Sequence, residues 1–270
     1  MNDDKEFYES LNPKLSAFYS SSFDNCDADH LYPIQQELKS LDVRFLDLKW
    51  LAEGAMKDIF EAKELASQRK IAIAKLKDDS NQKNIEIFFR EARLTASLQH
   101  PNIIRIYDIG YDSTPWFSME LIEGMSLAEK INTIKSSKID WPLFERLAIF
   151  NKVCDAVAYA HSKQILHLDI KPENIRLGQY GEVILCDWGL GHIMFSNDDE
   201  IYSDDELSLQ NEKTQHGYIR GTPGYMAPER LNNEKTTQAD IFSLGALLFS
   251  LLNYNTTLYV AGIRQYTFFA

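Results

Sequence analysis

The sequence is short of cysteine, of basic charge and of long apolar runs, and each shortage removes a class of protein. Its three cysteines, Cys26, Cys154 and Cys186, are an odd number without paired spacing. Neither a disulfide framework nor a thiolate metal site is built that way, so a reducing compartment, the cytoplasm, is expected. Lys and Arg number 28 against 40 Asp and Glu, a formal net charge of −12 at pH 7. That balance argues against nucleic acid or an anionic membrane as the main partner and weakly favours a basic one. The N-terminus, Met-Asn-Asp-Asp-Lys-Glu, is acidic and has no apolar signal core. The longest apolar stretch, residues 241–252, is interrupted by Ser243, Gly245 and Ser250. It is too short to span a bilayer and reads as a buried helix.

What is present is ordinary for a globular chain: 270 residues, 44% hydrophobic and 25% charged, enough for one large domain or two lobes. Residues 1–44 lack a strong pattern. Tyr8, Leu11, Leu15, Phe18 and Tyr19 have roughly helical spacing, and residues 1–44 read either as a short docking helix with a linker or as a partly disordered leader. Residues 45–77 read as a β-meander. Residues 84–99 place Ile87, Phe88, Leu94 and Leu98 on one helical face, with Pro101 as the stop. Alternation predicts strands over 103–109 and 116–119, with a turn at 110–114. Residues 125–163 read as mostly helical. There Pro142 opens a helix, and Leu147, Phe150, Val153, Cys154, Val157 and Ala158 form its buried stripe. His161, at that helix's end, reads as a capping or surface histidine, and His192 as structural.

Three stretches carry chemistry. His-Leu-Asp-Ile-Lys-Pro-Glu-Asn occupies 167–174, Cys-Asp-Trp-Gly 186–189, and Gly-Thr-Pro-Gly-Tyr-Met-Ala-Pro-Glu 221–229. They resemble the catalytic loop H-R-D-x-x-x-x-N, the D-F-G sequence and the A-P-E end of the activation segment in eukaryotic-type protein kinases. The resemblance covers roughly residues 45–252. It implies an α+β, two-lobed protein-kinase fold, with a small β-sheet lobe over 45–119, a hinge over 120–124 and an incomplete, mainly helical large lobe over 125–270. It implies an ATP- and Mg2+-dependent serine/threonine kinase acting on a protein hydroxyl. Asp169 then orients the attacking hydroxyl, Lys171 contacts the γ-phosphate, Asn174 and Asp187 hold the metal, and Thr222 supports Asp169. Asp240 corresponds to the residue that holds the catalytic-loop backbone. Met119 stands at the gatekeeper position, and the backbones of Glu120 and Ile122 at the adenine edge.

Several positions depart from the family. Of the phosphate loop G-x-G-x-x-G, only Gly54 survives; Ala52 and Lys57 take the outer places. Ile-Ala-Ile-Ala at 71–74 stands where V-A-I-K is expected, so Ala72 lies on the adenine side and Ala74 fills the lysine position. Alternation turns Lys75 to the opposite face, unless the strand slips by one residue. Lys57 occupies the place from which the with-no-lysine kinases supply this lysine. Lys57 is therefore the preferred donor, paired with Glu91, Lys75 is the alternative, and a site without a phosphate lysine is the third reading. Leu168 replaces the arginine that receives an activation-loop phosphate. Arg176 falls beneath the adenine. These departures leave open a pseudokinase that binds or scaffolds with little catalysis.

Overall fold

The computed structural model describes residues 44–77, 81–138, 140–194, 222, 224–232 and 234–254. The docking helix expected in the leader lies outside them, and so do the acidic residues 198–200 and 204–206, whose charge run reads in the sequence as a solvated loop. So do Ser203, Ser208, Thr214 and Tyr218, hydroxyls in the sequence that could accept phosphate, and His216, which has no metal-ligand partner in the sequence pattern. The chain divides into two compact units, residues 1–48 with 62–70 and residues 49–61 with 71–270. In the first, the Glu64 carboxylate accepts hydrogen bonds from the Ser67 hydroxyl at 2.6 Å and Arg69 Nε at 2.9 Å. Ser67, with Arg69, holds this carboxyl below the usual range against the cost of its burial.

The meander consists of β1 (Phe45–Glu53), β2 (Lys57–Glu64) and β3 (Lys70–Leu76). With β4 (Ile106–Tyr111) and β5 (Pro115–Met119) these make a five-stranded sheet in the order β1-β2-β3-β5-β4. β3 and β5 run antiparallel, with Ala72 opposite Met119 and Ala74 opposite Phe117. β4 extends to Tyr111, further than the sequence predicts, because Gly110 lets the Trp116 ring lie on the strand. A Cβ at Gly110 would fall 2.2 Å from that ring. Helix α1 (Gln82–Ala96) packs Phe88 and Ala92 against Ala74 and Phe117. It begins at Asn81, whose side chain accepts the Lys83 N–H. It stops short of Pro101: the Ser97 N–H bonds back to Arg93 and Leu94, and the Ser97 hydroxyl donates to the Leu94 carbonyl at 2.6 Å. Capping, not proline, ends this helix.

A three-stranded sheet joins β6 (Gly124–Ser126), β8 (Ile175–Gly178) and β9 (Val183–Leu185), in the order β6-β8-β9. β7 (Ile165–Leu166) pairs with β10 (His192–Ile193), which places His192 opposite Leu166. Ser126 and Glu129 form a capping box that starts α2 (Leu127–Ser137). In α3 (Leu143–Ser162) the buried face is Val153, Ala156, Val157 and Ala160. This corrects the expected stripe. Leu147 and Ala158 are exposed and Cys154 is only half-buried, because the true face follows a period of about 3.6 from Val153. Pro142 is the N-cap of α3, one position before the first helical residue. Helix α4 (Thr237–Asn253) is also not buried all round. Leu244, Leu247 and Leu251 enter the core, whereas Ile241 is 61% and Phe249 49% exposed. Among the described residues, no helix is long and apolar enough to cross a membrane.

Candidate active site

Four backbone segments bring the site together. The first is the turn at residues 54–56 and the start of β2. Gly54 donates its N–H to the Lys57 carbonyl at 2.8 Å, and a Cβ at Gly54 would meet that oxygen at 3.0 Å. Lys57, the first residue of β2, sends its ammonium beneath the sheet to Glu91 of α1, with which it forms a hydrogen-bonded ion pair. The same Nζ lies 3.2 Å from Asp187 Oδ1 and 5.8 Å from the centre of the Phe117 ring. Burial works against this ammonium, but the two carboxylates outweigh it and raise its pKa above the usual lysine value. Burial likewise resists the charge on Asp187, and Lys57 overrides it, leaving that carboxyl below the usual range.

The strand residues beside this cluster divide by face. Ala74 is fully buried against Phe88 and Phe117. Lys75 points the other way, its Nζ 5.7 Å from the Phe60 ring, and it does not reach the cluster. Ala72 is buried next to Met119, which is itself half-buried between the two apolar cores. The Glu120 N–H is engaged with the Arg105 carbonyl at 2.9 Å. Arg176 does not leave its guanidinium beneath that space. Nη2 donates to the Gly124 carbonyl at 2.8 Å, and Nη1 stands 3.9 Å from Glu129. The aliphatic stem is what remains as floor.

Two further segments hold the remaining polar residues of the site. The Asp169 carboxylate accepts from Lys171 Nζ at 2.8 Å and from Asn174 Nδ2 at 3.0 Å, both on Oδ2. Its Oδ1 is 3.3 Å from the Thr222 hydroxyl, and Lys171 Nζ also donates to that hydroxyl at 2.8 Å. Lys171 thus bridges Asp169 and Thr222. Asn174 spends its amide N–H groups on Asp169, which leaves its Oδ1 as an acceptor. The Cys186 N–H bonds the Asn174 carbonyl at 2.8 Å, so Asn174 and the Asp187 peptide lie on neighbouring backbone. A half-exposed carboxylate and an amide oxygen are hard oxygen donors of the kind magnesium takes. Asn174 and Asp187 are thus residues whose chemistry fits Mg2+ and that could hold it.

The frame beneath this loop is apolar and anchored at one point. Asp240 of α4, fully buried, accepts the N–H of His167 at 2.9 Å and of Leu168 at 2.8 Å. His161 Nε2 is 2.8 Å from its Oδ2, so His161 belongs to this anchor, which corrects the expectation of a cap or surface residue. Nothing in its local sequence signals that contact. The anchor allows Leu168 to keep φ at +64°, and Asp187 has φ +61°, both in the left-handed region that side chains seldom adopt. Trp188 is buried with its ring 4.5 Å from that of His167, keeping the aromatic anchor, although its indole N–H finds no acceptor among the described residues. Cys186 lies just past β9, where burial pushes its thiol up to about 12 and makes it unreactive.

A family model described as "Protein kinase domain" matches residues 45–266. Among curated proteins, the chain is 37% identical over 235 residues to the serine/threonine-protein kinase PknD of Protochlamydia amoebophila, covering 82% of this chain and 23% of that protein. It is 33% identical over 224 residues to the PknD of Chlamydia caviae and 32% over 228 residues to that of Chlamydia trachomatis serovar D. Each of these two matches covers 77% of this chain and 24% of the relative. The chain therefore spans about a quarter of the length of the curated relatives it matches.

Proposed function

The chain belongs to the protein kinase family, in its eukaryotic-type serine/threonine branch, and on that premise we propose that it transfers the γ-phosphate of ATP to a serine or threonine hydroxyl of a protein. The observation that carries this reading is the Lys171 bridge between Asp169 and Thr222, formed beside the Lys57–Glu91–Asp187 cluster. Bound magnesium supplies charge neutralisation at the migrating phosphate. Asp169, fixed by Lys171 and Asn174, orients the attacking hydroxyl and takes its proton. Lys171 faces the incoming γ-phosphate, and Lys57, held by Glu91, faces the inner phosphates. Gly54 gives the turn its closest backbone approach. Ala72 and the stem of Arg176 enclose the base from two sides, with the Glu120 and Ile122 backbones at its edge. Lys75, on the far side of β3, has no part in this arrangement. The working kinase domain spans residues 45–270, and the leader occupies 1–44. The net charge of −12 supports a basic protein substrate, and the sparse cysteines support a cytoplasmic setting.

One observation favours the second reading, a nucleotide-binding scaffold with little catalysis: of the three phosphate-loop glycines only Gly54 is kept. A phosphotransfer assay separates the two. Purified protein is given Mg-ATP and a generic basic protein, with Asp169→Asn as the control. Transfer that disappears in the variant supports the kinase; equal background in both proteins supports the scaffold.

A further inference from the structure

The turn that carries Lys57 is held from below by a second lysine. Lys77 follows directly on β3, and its N–H donates to the Met56 carbonyl, in the middle of the turn, at 3.0 Å. Its ammonium is hydrogen-bonded to Glu53, the last residue of β1, and stands 3.5 Å from Asp58 Oδ1, in the second residue of β2. One side chain thus grips both arms of the turn while its own backbone holds the middle. Asp58 and Lys57 are adjacent on a strand, so their side chains leave it on opposite faces. Drawing Asp58 toward Lys77 turns Lys57 toward Glu91. The turn needs such a constraint, because a lysine stem is long and its rotamers are many.

We propose that Lys77 is a positioning residue: by clamping Glu53 and Asp58 it sets the turn so that the Lys57 ammonium meets Glu91 and Asp187. This rests on the reading of Lys57 as the phosphate lysine. The Glu53 side chain is 68% exposed and the Lys77 side chain 27%, so the clamp adds little to global stability. Its effect is on orientation, which separates it from a merely structural contact.

The test uses the full chain without nucleotide. Neutral amines react with acetic anhydride and ammonium ions do not, so the acetylation rate of Lys57, read by peptide mass spectrometry, reports how firmly its partners hold it. Lys77→Gln should speed acetylation of Lys57 about fivefold, as expected for an ion pair loosened by roughly one pair's worth of coupling. Lys75 should react at its wild-type rate, the melting temperature should stay put, and Lys77→Arg should restore protection. The KM for Mg-ATP should rise by a similar factor with kcat nearly unchanged. The double variant Glu53→Gln/Asp58→Asn cuts the same clamp from the other side and must also expose Lys57. Wild-type acetylation of Lys57 in either variant overturns the proposal. If Lys57→Met transfers phosphate normally while Lys77→Gln still exposes Lys57, the clamp stands and the phosphate-lysine reading fails.

Discussion

Lys57 is where the residue-scale energetics concentrate, because one ammonium serves two carboxylates. Losing a charge-assisted contact to phosphate costs on the order of 2–3 kcal/mol, or roughly a hundredfold in affinity. Steady-state phosphotransfer should therefore collapse about a hundredfold in Lys57→Met and change severalfold at most in Lys75→Met; the reverse ranking would reassign the lysine. The same group has a pH signature. With its pKa raised above 10.5, its contribution to stability is fully present below that value and is lost as pH rises through the folded pKa. Asp187, depressed below 3.8, contributes above that value and loses its share as pH falls through its folded pKa. Acetylation of Lys57 against pH should accordingly have a midpoint above 10.5, and Asp187→Asn should lower it; a wild-type midpoint at or below the ordinary lysine value would contradict the double pairing. The meeting of Lys57 with Glu91 was legible in the sequence, since Ala74 empties the usual position and alternation turns Lys75 away. The contact of His161 with Asp240 was not, because its two ends lie 79 residues apart and neither carries a local pattern.

Among the elements, the β4–β5 hairpin and α1 could be read from their periods, and their ends could not. Pro101 seemed the natural stop for α1, but Ser97 closes the helix earlier with its own N–H and hydroxyl. In α3 the apolar residues outnumber the places available on one face: the sequence pattern placed Val153 and Val157 correctly, misassigned Leu147 and Ala158, and missed Ala156 and Ala160, which only packing selects. Gly110 shows a constraint that no periodicity reveals, for the Trp116 ring occupies the space a side chain would take. Gly110→Ala should destabilise the protein by about 1–3 kcal/mol through overpacking, measured as a lower urea midpoint with an unchanged slope. An unaltered midpoint would mean that the ring moves aside without cost.

Over the whole molecule, one departure from the family bears on the proposed activity. Leu168 is 6% exposed and packs with Leu166, Ala227 and Ala239, so an arginine's place in the family is filled here by core. A buried leucine cannot receive a phosphate group. Activity should thus survive phosphatase treatment, as checked by assaying treated and untreated protein side by side; loss of most of the activity would show another receptor at work.

The anchor at Asp240 also sets a timetable. The amides of His167 and Leu168 take their acceptor from a residue 73 and 72 positions further along the chain. At a synthesis rate of roughly 5–20 residues per second, the catalytic loop waits about 4–15 s on the ribosome before the carboxylate that fixes it is made. During that interval the left-handed turn at Leu168 lacks the acceptor that the His167 and Leu168 amides share. The loop therefore completes its form late in biogenesis, after the sheet and α1 have had time to assemble.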